Sequence, residues 1–157
     1  MHFISHRGNI TRANRSLENS VGYILSALND YDVEIDVWLK NNCYYLGHDG
    51  PSYLIEPEFL KTQINEHKFW CHAKNITVFE RLISLGVICF FHQNDDITPT
   101  IPHHYLWTFP GKELTASSVC VMPEIAGLTP EKLFAHKIAG VCSDQIQDFR
   151  NYFLNCK

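Results

Sequence analysis

The alternation of apolar and polar positions along the chain predicts eight short strands. Each run is rich in β-branched, aromatic or other apolar residues, and Gly, Pro, Asn or Asp residues flank most of them. The predicted strands lie at residues 3–5, 33–39, 43–47, 69–73, 87–92, 105–109, 119–122 and 139–143. Several of these runs carry few charges, which is typical of strands that are buried on both faces.

Helical periodicity lies between several of these strands. From Val21 onward, apolar residues recur at i, i+3, i+4 and i+7, which predicts a helix over 19–29. Thr77 and Glu80 have the spacing of a capping box for a second helix, and Gly86 supplies its end. Three more helices are predicted, from Pro57 through Ile64, from Thr129 and Pro130, and over 145–154.

Strands that alternate with helices predict a parallel sheet whose faces are covered by helices. A barrel and an open doubly wound sheet both satisfy this pattern. The sequence contains neither a G-x-G-x-x-G loop nor a Walker-type loop, so the nucleotide-binding forms of the open sheet lose support. A full (β/α)8 barrel usually takes about 250 residues, whereas this chain has 157. In a barrel of this length, we expect loops or single turns to replace one or two helices within 87–122.

Composition narrows the classes of function. A chain of 157 residues, 45% of them hydrophobic, suffices for one buried core, so we expect a single domain over 1–157. The net charge of −4 argues against a nucleic-acid-binding protein, which usually carries a basic surface. No apolar run approaches the roughly 20 residues that cross a bilayer, so we expect a cytoplasmic protein without an integral membrane segment. The six cysteines form no C-x-x-C pair and are expected to be mostly buried, reduced thiols. The oligomeric state stays open.

Titratable residues recur where the predicted strands end. In parallel α/β proteins the carboxyl ends of the strands meet at the edge that holds the ligand site. Because buried titratable groups cost free energy, their repetition at one edge indicates a shared site. The segment from His92 through Asp96 is better explained as a polar turn after a strand than as a second ligand cluster. The titratable residues at these strand ends are His6, Arg7, Glu34, Asp36, His72, Lys74, His92 and Asp144.

Four fragments in the first third of the chain follow the order of a known family. They resemble the H-R-G, E-N-T, E-x-D-V and H-D motifs of glycerophosphodiester phosphodiesterases, and they read His6-Arg7-Gly8, Glu18-Asn19-Ser20, Glu34-Ile35-Asp36-Val37 and Gly47-His48-Asp49. Three later fragments are similar to that family's E-x-K, W-T and G-I-x-T-D, namely His72-Ala73-Lys74, Leu106-Trp107-Thr108 and Gly140-Val141-Cys142-Ser143-Asp144. The resemblance implies a compact (β/α)8-type TIM barrel of parallel strands, with some helices shortened or missing.

The same resemblance implies metal-dependent hydrolysis of a small phosphodiester, such as a glycerophosphodiester, to an alcohol and a phosphomonoester. It assigns His6 and His48 as the acid/base pair, and imidazole suits this role because it titrates near neutral pH. Arg7 and Lys74 would neutralise the phosphate oxygens, since arginine offers a planar fork and lysine a point charge.

The expected cofactor is a divalent cation, Mg, Mn or Ca. Glu34 and Asp36 alternate along a strand and therefore point to the same side, where they can share one hard cation. His72 stands where the family has a carboxylate as the third ligand. A neutral imidazole favours borderline metals over calcium, so magnesium or manganese is the first expectation and the metal's identity stays open.

Three further residues are assigned to the surroundings of this site. Glu18 would orient Arg7 or His6, because catalytic groups need supporting hydrogen bonds. Trp107 is either a core residue or a platform for substrate, and Glu124 directly follows a strand and is a candidate to line the pocket.

Two other functions remain open at this point. A barrel resembling the venom-type phospholipase D enzymes would form a cyclic phosphate by lyase or transferase chemistry. A noncatalytic barrel would bind a phosphorylated ligand, although the presence of both acid/base histidines argues against it.

Overall fold

The computed structural model describes residues 1–61 and 68–156. All eight predicted strands are present within two residues of their expected bounds, and β4 and β7 are additional. The ten strands are β1 (His2–His6), β2 (Asp32–Lys40), β3 (Cys43–Leu46), β4 (Tyr53–Ile55), β5 (Phe69–Ala73), β6 (Ile88–Phe90), β7 (Ile97–Pro99), β8 (Leu106–Thr108), β9 (Ser118–Val121) and β10 (Gly140–Ser143).

The helices follow the predicted order. Asn75 caps α3 by accepting a hydrogen bond from the Val78 N–H at 2.9 Å, so the predicted capping box of Thr77 and Glu80 is wrong. Gly86 ends α3 with a φ of 73°, as expected. The predicted helical position of Ile64 lies outside the described residues. The helices are α1 (Val21–Ala27), α2 (Pro57–Lys61), α3 (Ile76–Leu85), α4 (Pro130–Phe134) and α5 (Ile146–Asn155), with a 3-10 helix at Pro123–Ala126.

Seven strands form a continuous parallel part of the sheet, in the order β6-β5-β2-β1-β10-β9-β8. Their carboxyl ends therefore lie along one edge. β1 occupies the centre, between β2 and β10. Ligand sites of parallel sheets form at this edge.

The predicted (β/α)8-type TIM barrel is wrong. The sheet is mixed and curls into a half-barrel instead of closing as eight parallel strands. β3 and β4 extend β2 as an antiparallel meander, and β7 runs antiparallel to β8. Only residues 100–105 join β7 to β8, whereas a parallel crossover needs a dozen residues or more. The expected loss of helices is seen in this region, since the described residues 91–117 contain none.

Alternation along β2 separates a core face from a site face. Val33, Ile35 and Val37 are fully buried in a hydrophobic cluster with residues of α1 and α3. Glu34 and Asp36 point to the inner face of the curled sheet. A second cluster fills that inner face with aromatic and aliphatic side chains, among them Ile4, Trp70, Phe90, Trp107 and Val119.

Four of the six cysteines are buried as free thiols, and Cys43 and Cys156 are exposed. The expectation of buried thiols is therefore wrong for Cys43 and Cys156 and confirmed for the other four, Cys71, Cys89, Cys120 and Cys142. Within the described residues, no helix combines the length and apolar character needed to cross a membrane.

Candidate active site

Neighbouring strands bring the predicted site residues together. His6 is registered with Glu34 across the β1–β2 pair, and Asp36 with His72 across the β2–β5 pair. The backbone N–H of Lys74 donates to the Val37 carbonyl at 2.9 Å, which continues the β2–β5 ladder to the edge of the sheet. Side chains two residues apart on a strand share a face, so these residues converge at one end of the inner surface.

Asp36 is the centre of this group and is fully buried. Its Oδ2 lies 2.8 Å from Arg7 Nε and accepts a hydrogen bond from Asn19 Nδ2 at 2.9 Å. Its Oδ1 lies 3.0 Å from His72 Nδ1 and 3.3 Å from Lys74 Nζ. Burial acts to raise the pKa of this carboxyl, but the imidazoles that contact it and the Arg7 charge hold the pKa well below its usual range. Asp36 is therefore a permanent anion.

Glu34 is buried beside Asp36 but has far fewer partners. Its Oε2 lies 3.9 Å from His6 Nε2, and its Oε1 lies 3.9 Å from His72 Nδ1. Burial and the charge of Asp36 raise the pKa of Glu34. The Glu34 carboxylate is therefore costly in the absence of an added positive charge.

Glu34, Asp36 and His72 form a group that fits a metal ion. One ligand atom of each residue lies within 4.8 Å of the others. Glu34 Oε2 and Asp36 Oδ1 are buried and lack a partner in hydrogen-bond geometry. Buried oxygens of this kind are ready to coordinate a cation, and two carboxylates with one imidazole suit Mg or Mn. These residues therefore fit the divalent ion that the sequence predicts.

His6 is fixed by a carboxylate at the end of β10. Its Nδ1 donates to Asp144 Oδ1 at 2.7 Å, and Asn9 Nδ2 donates to the same oxygen at 2.7 Å. Burial acts to lower the pKa of His6, but the bond to Asp144 and the charge of Glu34 outweigh it, so the pKa is raised. The bond to Asp144 leaves Nε2 as the ring nitrogen on the Glu34 side.

Glu124 supports the residues at the end of β10, including Asp144. Its Oε1 accepts hydrogen bonds from Ser143 Oγ at 2.8 Å and from the Asp144 N–H at 3.1 Å. It does not line the principal cavity of the described residues. Of the two positions open to Glu124, beside the pocket or behind the residues that line it, its contacts are those of a residue that holds Asp144.

His48 approaches Asp36 from the loop that follows β3. Its Nδ1 lies 3.4 Å from Asp36 Oδ2, and 44% of its side chain is exposed. Trp38 Nε1 donates to the Gly47 carbonyl at 2.6 Å and anchors this loop. Gly47 has a φ of 146°, and a Cβ at this position would lie 2.2 Å from the Gly50 carbonyl oxygen. The loop conformation that presents His48 therefore requires glycine.

Glu18 holds Arg7 as predicted. Its Oε2 accepts a hydrogen bond from Arg7 Nη1 at 3.2 Å, and its Oε1 accepts one from Asn9 Nδ2 at 3.0 Å. Arg7 and Asn19 have positive φ values of 55° and 62°, which non-glycine residues rarely adopt. The Asn19 N–H donates to the Arg7 carbonyl, and this bond stabilises the two unusual conformations together.

A cavity of about 670 Å³ opens over these residues. Its charged side contains His6, Arg7, Glu34, His48, His72 and Lys74. The apolar side of its lining includes Trp107, Phe109, Met122 and Ile125. Trp107 is only 3% exposed and stacks on Phe90 with ring centroids 4.4 Å apart. It is thus a core residue that also reaches the cavity wall.

His92 lies at the junction of these two sides. Its ring is parallel to that of His72, with centroids 4.6 Å apart. Burial, followed by the charges of His72 and Lys74, lowers the pKa of His92 to about 4. The ring is therefore neutral at pH 7. The sequence interpretation of a polar turn holds for the residues after His92 but misses its inward position.

Sequence reasoning placed Asp144 at the shared edge without a specific role and assigned no role to Asn9 or Asn19. Asn19 supplies both of its amide ends to Asp36, since its Oδ1 accepts the Asp36 N–H at 3.0 Å. Asn19 and Asp144 both lie within fragments that resemble family motifs, so their place in the sequence was a signal that could have identified them. Asn9 follows His6-Arg7-Gly8 without a motif of its own, and only the fold reveals its contacts.

No family model matches this sequence, and neither a curated protein nor a solved structure matches it.

Proposed function

We propose that this chain is a metal-dependent phosphodiesterase that hydrolyses a small phosphodiester to an alcohol and a phosphomonoester. One observation carries the proposal. Arg7 and Lys74 converge on Asp36, within 3.3 Å, beside a cavity that His6 and His48 also line. The resemblance of the N-terminal motifs to those of glycerophosphodiester phosphodiesterases supports it further, and a cytoplasmic location belongs to the same proposal.

The cations suit an anionic ester. A phosphodiester carries one negative charge on its nonbridging oxygens, and this charge must be neutralised for a nucleophile to approach. The Arg7 guanidinium is held on two sides, by Glu18 and Asp36, so it needs little reorganisation to meet a phosphate. Lys74 adds a second positive charge at the same cavity.

The two imidazoles supply proton transfer. In hydrolysis a new P–O bond forms to water, which gives a proton to one imidazole. The P–O bond to the alcohol breaks, and the alcohol oxygen receives a proton from the other imidazole. His6 is oriented by Asp144, whereas His48 is half-exposed on its loop.

Glu34, Asp36 and His72 would hold the divalent cation. When bound, the ion would supply electrostatic stabilisation of the charge that develops on the phosphoryl oxygens. The partly orphaned buried oxygens of the two carboxylates support this assignment. Lys74 also lies close to Asp36, so it would share this carboxylate with the ion.

The direct test is a hydrolysis screen with added Mg²⁺, Mn²⁺ or Ca²⁺. Glycerophosphodiesters, lysophospholipids and cyclic nucleotides serve as substrates, and ³¹P NMR identifies the products. The expected result is turnover by the wild type that is lost in His6→Ala. His136→Ala is the matched control, because His136 is exposed and remote from the cavity.

The products also decide among the alternatives. Formation of a phosphomonoester with oxygen from solvent supports hydrolysis. A cyclic phosphate as the final product would replace hydrolysis by intramolecular attack of a substrate hydroxyl. Tight binding of these esters without turnover under any metal would contradict an enzymatic function.

A further inference from the structure

His92 continues the inward-facing side of β6. Ile88 and Phe90 point to the inner cluster of the sheet, and His92 follows two residues later at the end of the strand. Residues at i, i+2 and i+4 of an extended segment share a face. His92 is accordingly one of the residues that line the cavity.

Two rings fix the orientation of His92. The His72 ring lies parallel to it, with an interplanar angle of 12°, and the Phe109 ring meets it edge-on with centroids 4.6 Å apart. A ring packed on two sides has little freedom to rotate. Its two nitrogens therefore have fixed and different surroundings.

The surroundings of the two nitrogens indicate which one carries the proton. His92 Nδ1 is buried and has no hydrogen-bond partner. A buried N–H without an acceptor is rarer and more costly than a buried lone pair without a donor. A neutral imidazole has one of each. The proton is therefore expected on Nε2, which is not among the buried, unpartnered atoms of the described residues.

The position of His92 determines what this N–H can reach. Phosphate would lie over the cationic side of the cavity, near Arg7 and Lys74. His92 is separated from the carboxylates by the stacked ring of His72, toward the side that contains Phe109 and Met122. An alkoxy group of the diester that extends from the phosphate in this direction passes the edge of His92 that lines the cavity.

We infer that His92 donates a hydrogen bond from Nε2 to an oxygen of the alcohol portion of the substrate and so selects diesters that carry an oxygen near the phosphoester. This inference rests on the proposed phosphodiesterase function and adds a specificity residue to it. A diester with a plain alkyl group would cover the N–H without giving it an acceptor, which costs affinity for the transition state.

The test compares two chromogenic diesters that differ in one atom. The substrates are 2-methoxyethyl p-nitrophenyl phosphate and n-butyl p-nitrophenyl phosphate, which share a leaving group and cannot cyclise. His92→Phe keeps an aromatic ring against His72 but removes the N–H. The ratio of kcat/KM for the ether over the alkyl substrate is expected to fall about threefold to tenfold in this variant, the value of one hydrogen bond. His92→Gln retains an N–H donor and should recover part of the ratio, and His136→Ala should leave it unchanged.

The outcomes separate this inference from the function on which it rests. If the wild type hydrolyses both esters and His92→Phe keeps the wild-type ratio, His92 only packs against His72, and the inference is overturned while the function stands. If the wild type hydrolyses no diester, the function itself is overturned, and this inference with it. ¹⁵N NMR of the free protein gives an independent readout, because a proton found on Nδ1 of His92 would overturn the inference without reference to activity.

Discussion

β1 carries a histidine at each end, and each histidine is paired with an aspartate. At the amino end, His2 Nδ1 lies 3.0 Å from Asp32 Oδ2, and its Nε2 lies 3.1 Å from the Tyr105 hydroxyl. At the carboxyl end, His6 Nδ1 lies 2.7 Å from Asp144 Oδ1, and its Nε2 faces Glu34 at 3.9 Å. The same pair of residue types thus occurs in two different settings.

The two ends of β1 differ in whether their buried polar atoms have hydrogen-bond partners. Both nitrogens of His2 have close partners, and Trp70 Nε1 donates to the same Asp32 oxygen at 3.3 Å, so this network is closed. At the other end, Glu34 Oε2 is buried without a hydrogen-bond partner and lies 3.9 Å from His6 Nε2. A satisfied polar network stabilises a fold, whereas unsatisfied buried groups indicate a site that awaits a ligand. The comparison predicts that substitutions at the two ends will change different observables.

The largest expected effect is on catalysis. His6→Ala and His48→Ala should each lower kcat by about 10²- to 10⁴-fold, the usual contribution of a positioned acid or base, with the fold preserved. His2→Ala should leave kcat near the wild-type value but lower the free energy of unfolding by about 1 kcal/mol. Steady-state kinetics and urea unfolding, with circular dichroism as the check on folding, measure both. Equal losses of kcat in His2→Ala and His6→Ala would remove the distinction between the two ends.

The next effect concerns the metal. Chelation should abolish turnover, and a divalent ion should restore it. His72→Ala should weaken metal affinity at least about tenfold. The loss of a metal ligand is expected to lower the affinity more than the loss of a residue that only supports a ligand. His72→Glu should shift the preference toward harder ions such as calcium or magnesium. Asp32→Asn, at the closed network, is the control. Calorimetric titration without substrate decides this, and unchanged affinity in His72→Ala would leave Glu34, Asp36 and water to hold the ion.

A smaller effect is a pH-dependent change in stability. The pKa of His6 is raised in the folded protein, so its contribution is complete below about pH 6.5 and disappears as pH rises through the folded value. The pKa of Asp144 is lowered because its bond to His6 outweighs burial, so its contribution is present above about pH 4 and disappears as pH falls. Asp144→Asn should therefore destabilise the protein by about 1 kcal/mol more at pH 5.5 than at pH 9. Urea denaturation at the two pH values tests this, and a penalty independent of pH would argue against a charged pair.

The smallest effect is expected at Glu124. Glu124→Gln keeps one carbonyl acceptor for Ser143 Oγ and the Asp144 N–H but removes the negative charge behind them. We expect a decrease of kcat of about threefold or less, since a single neutral hydrogen bond replaces a charged one. Glu124→Ala should have a larger effect on kcat than on KM, because it frees Asp144 without touching substrate. A change confined to KM would instead indicate that Glu124 lines the pocket.

Local patterns in the sequence predicted the individual elements well, because apolar periodicity determines which residues can be buried on a strand or a helix. They missed β4 and β7, which are only three residues long. They also wrongly predicted a closed barrel, because apolar periodicity does not show whether neighbouring strands run parallel or antiparallel.

The candidate site likewise has a part that the sequence predicted and a part that it did not. The chemical types of Glu34, Asp36 and His72 and their placement at strand ends were sufficient to predict that they meet. The contacts of Asp144 with His6 and with Asn9 join positions more than a hundred residues apart. Such contacts depend on the order of strands in the sheet, which no local pattern gives. His92 was obscured by the polar residues that follow it.

The pairing of β1 with β10 has a consequence for biosynthesis. These strands join residues 2–5 to residues 140–143, close to the largest separation that this sequence offers. Bringing such distant segments together carries a large loop-closure entropy and is expected late in folding. While the chain emerges from the ribosome, Glu34 and Asp36 can already lie beside β5, but His6 still lacks Asp144. The nascent chain can thus form its acidic cluster early, whereas His6 gains its Asp144 partner only after β10 has been synthesised.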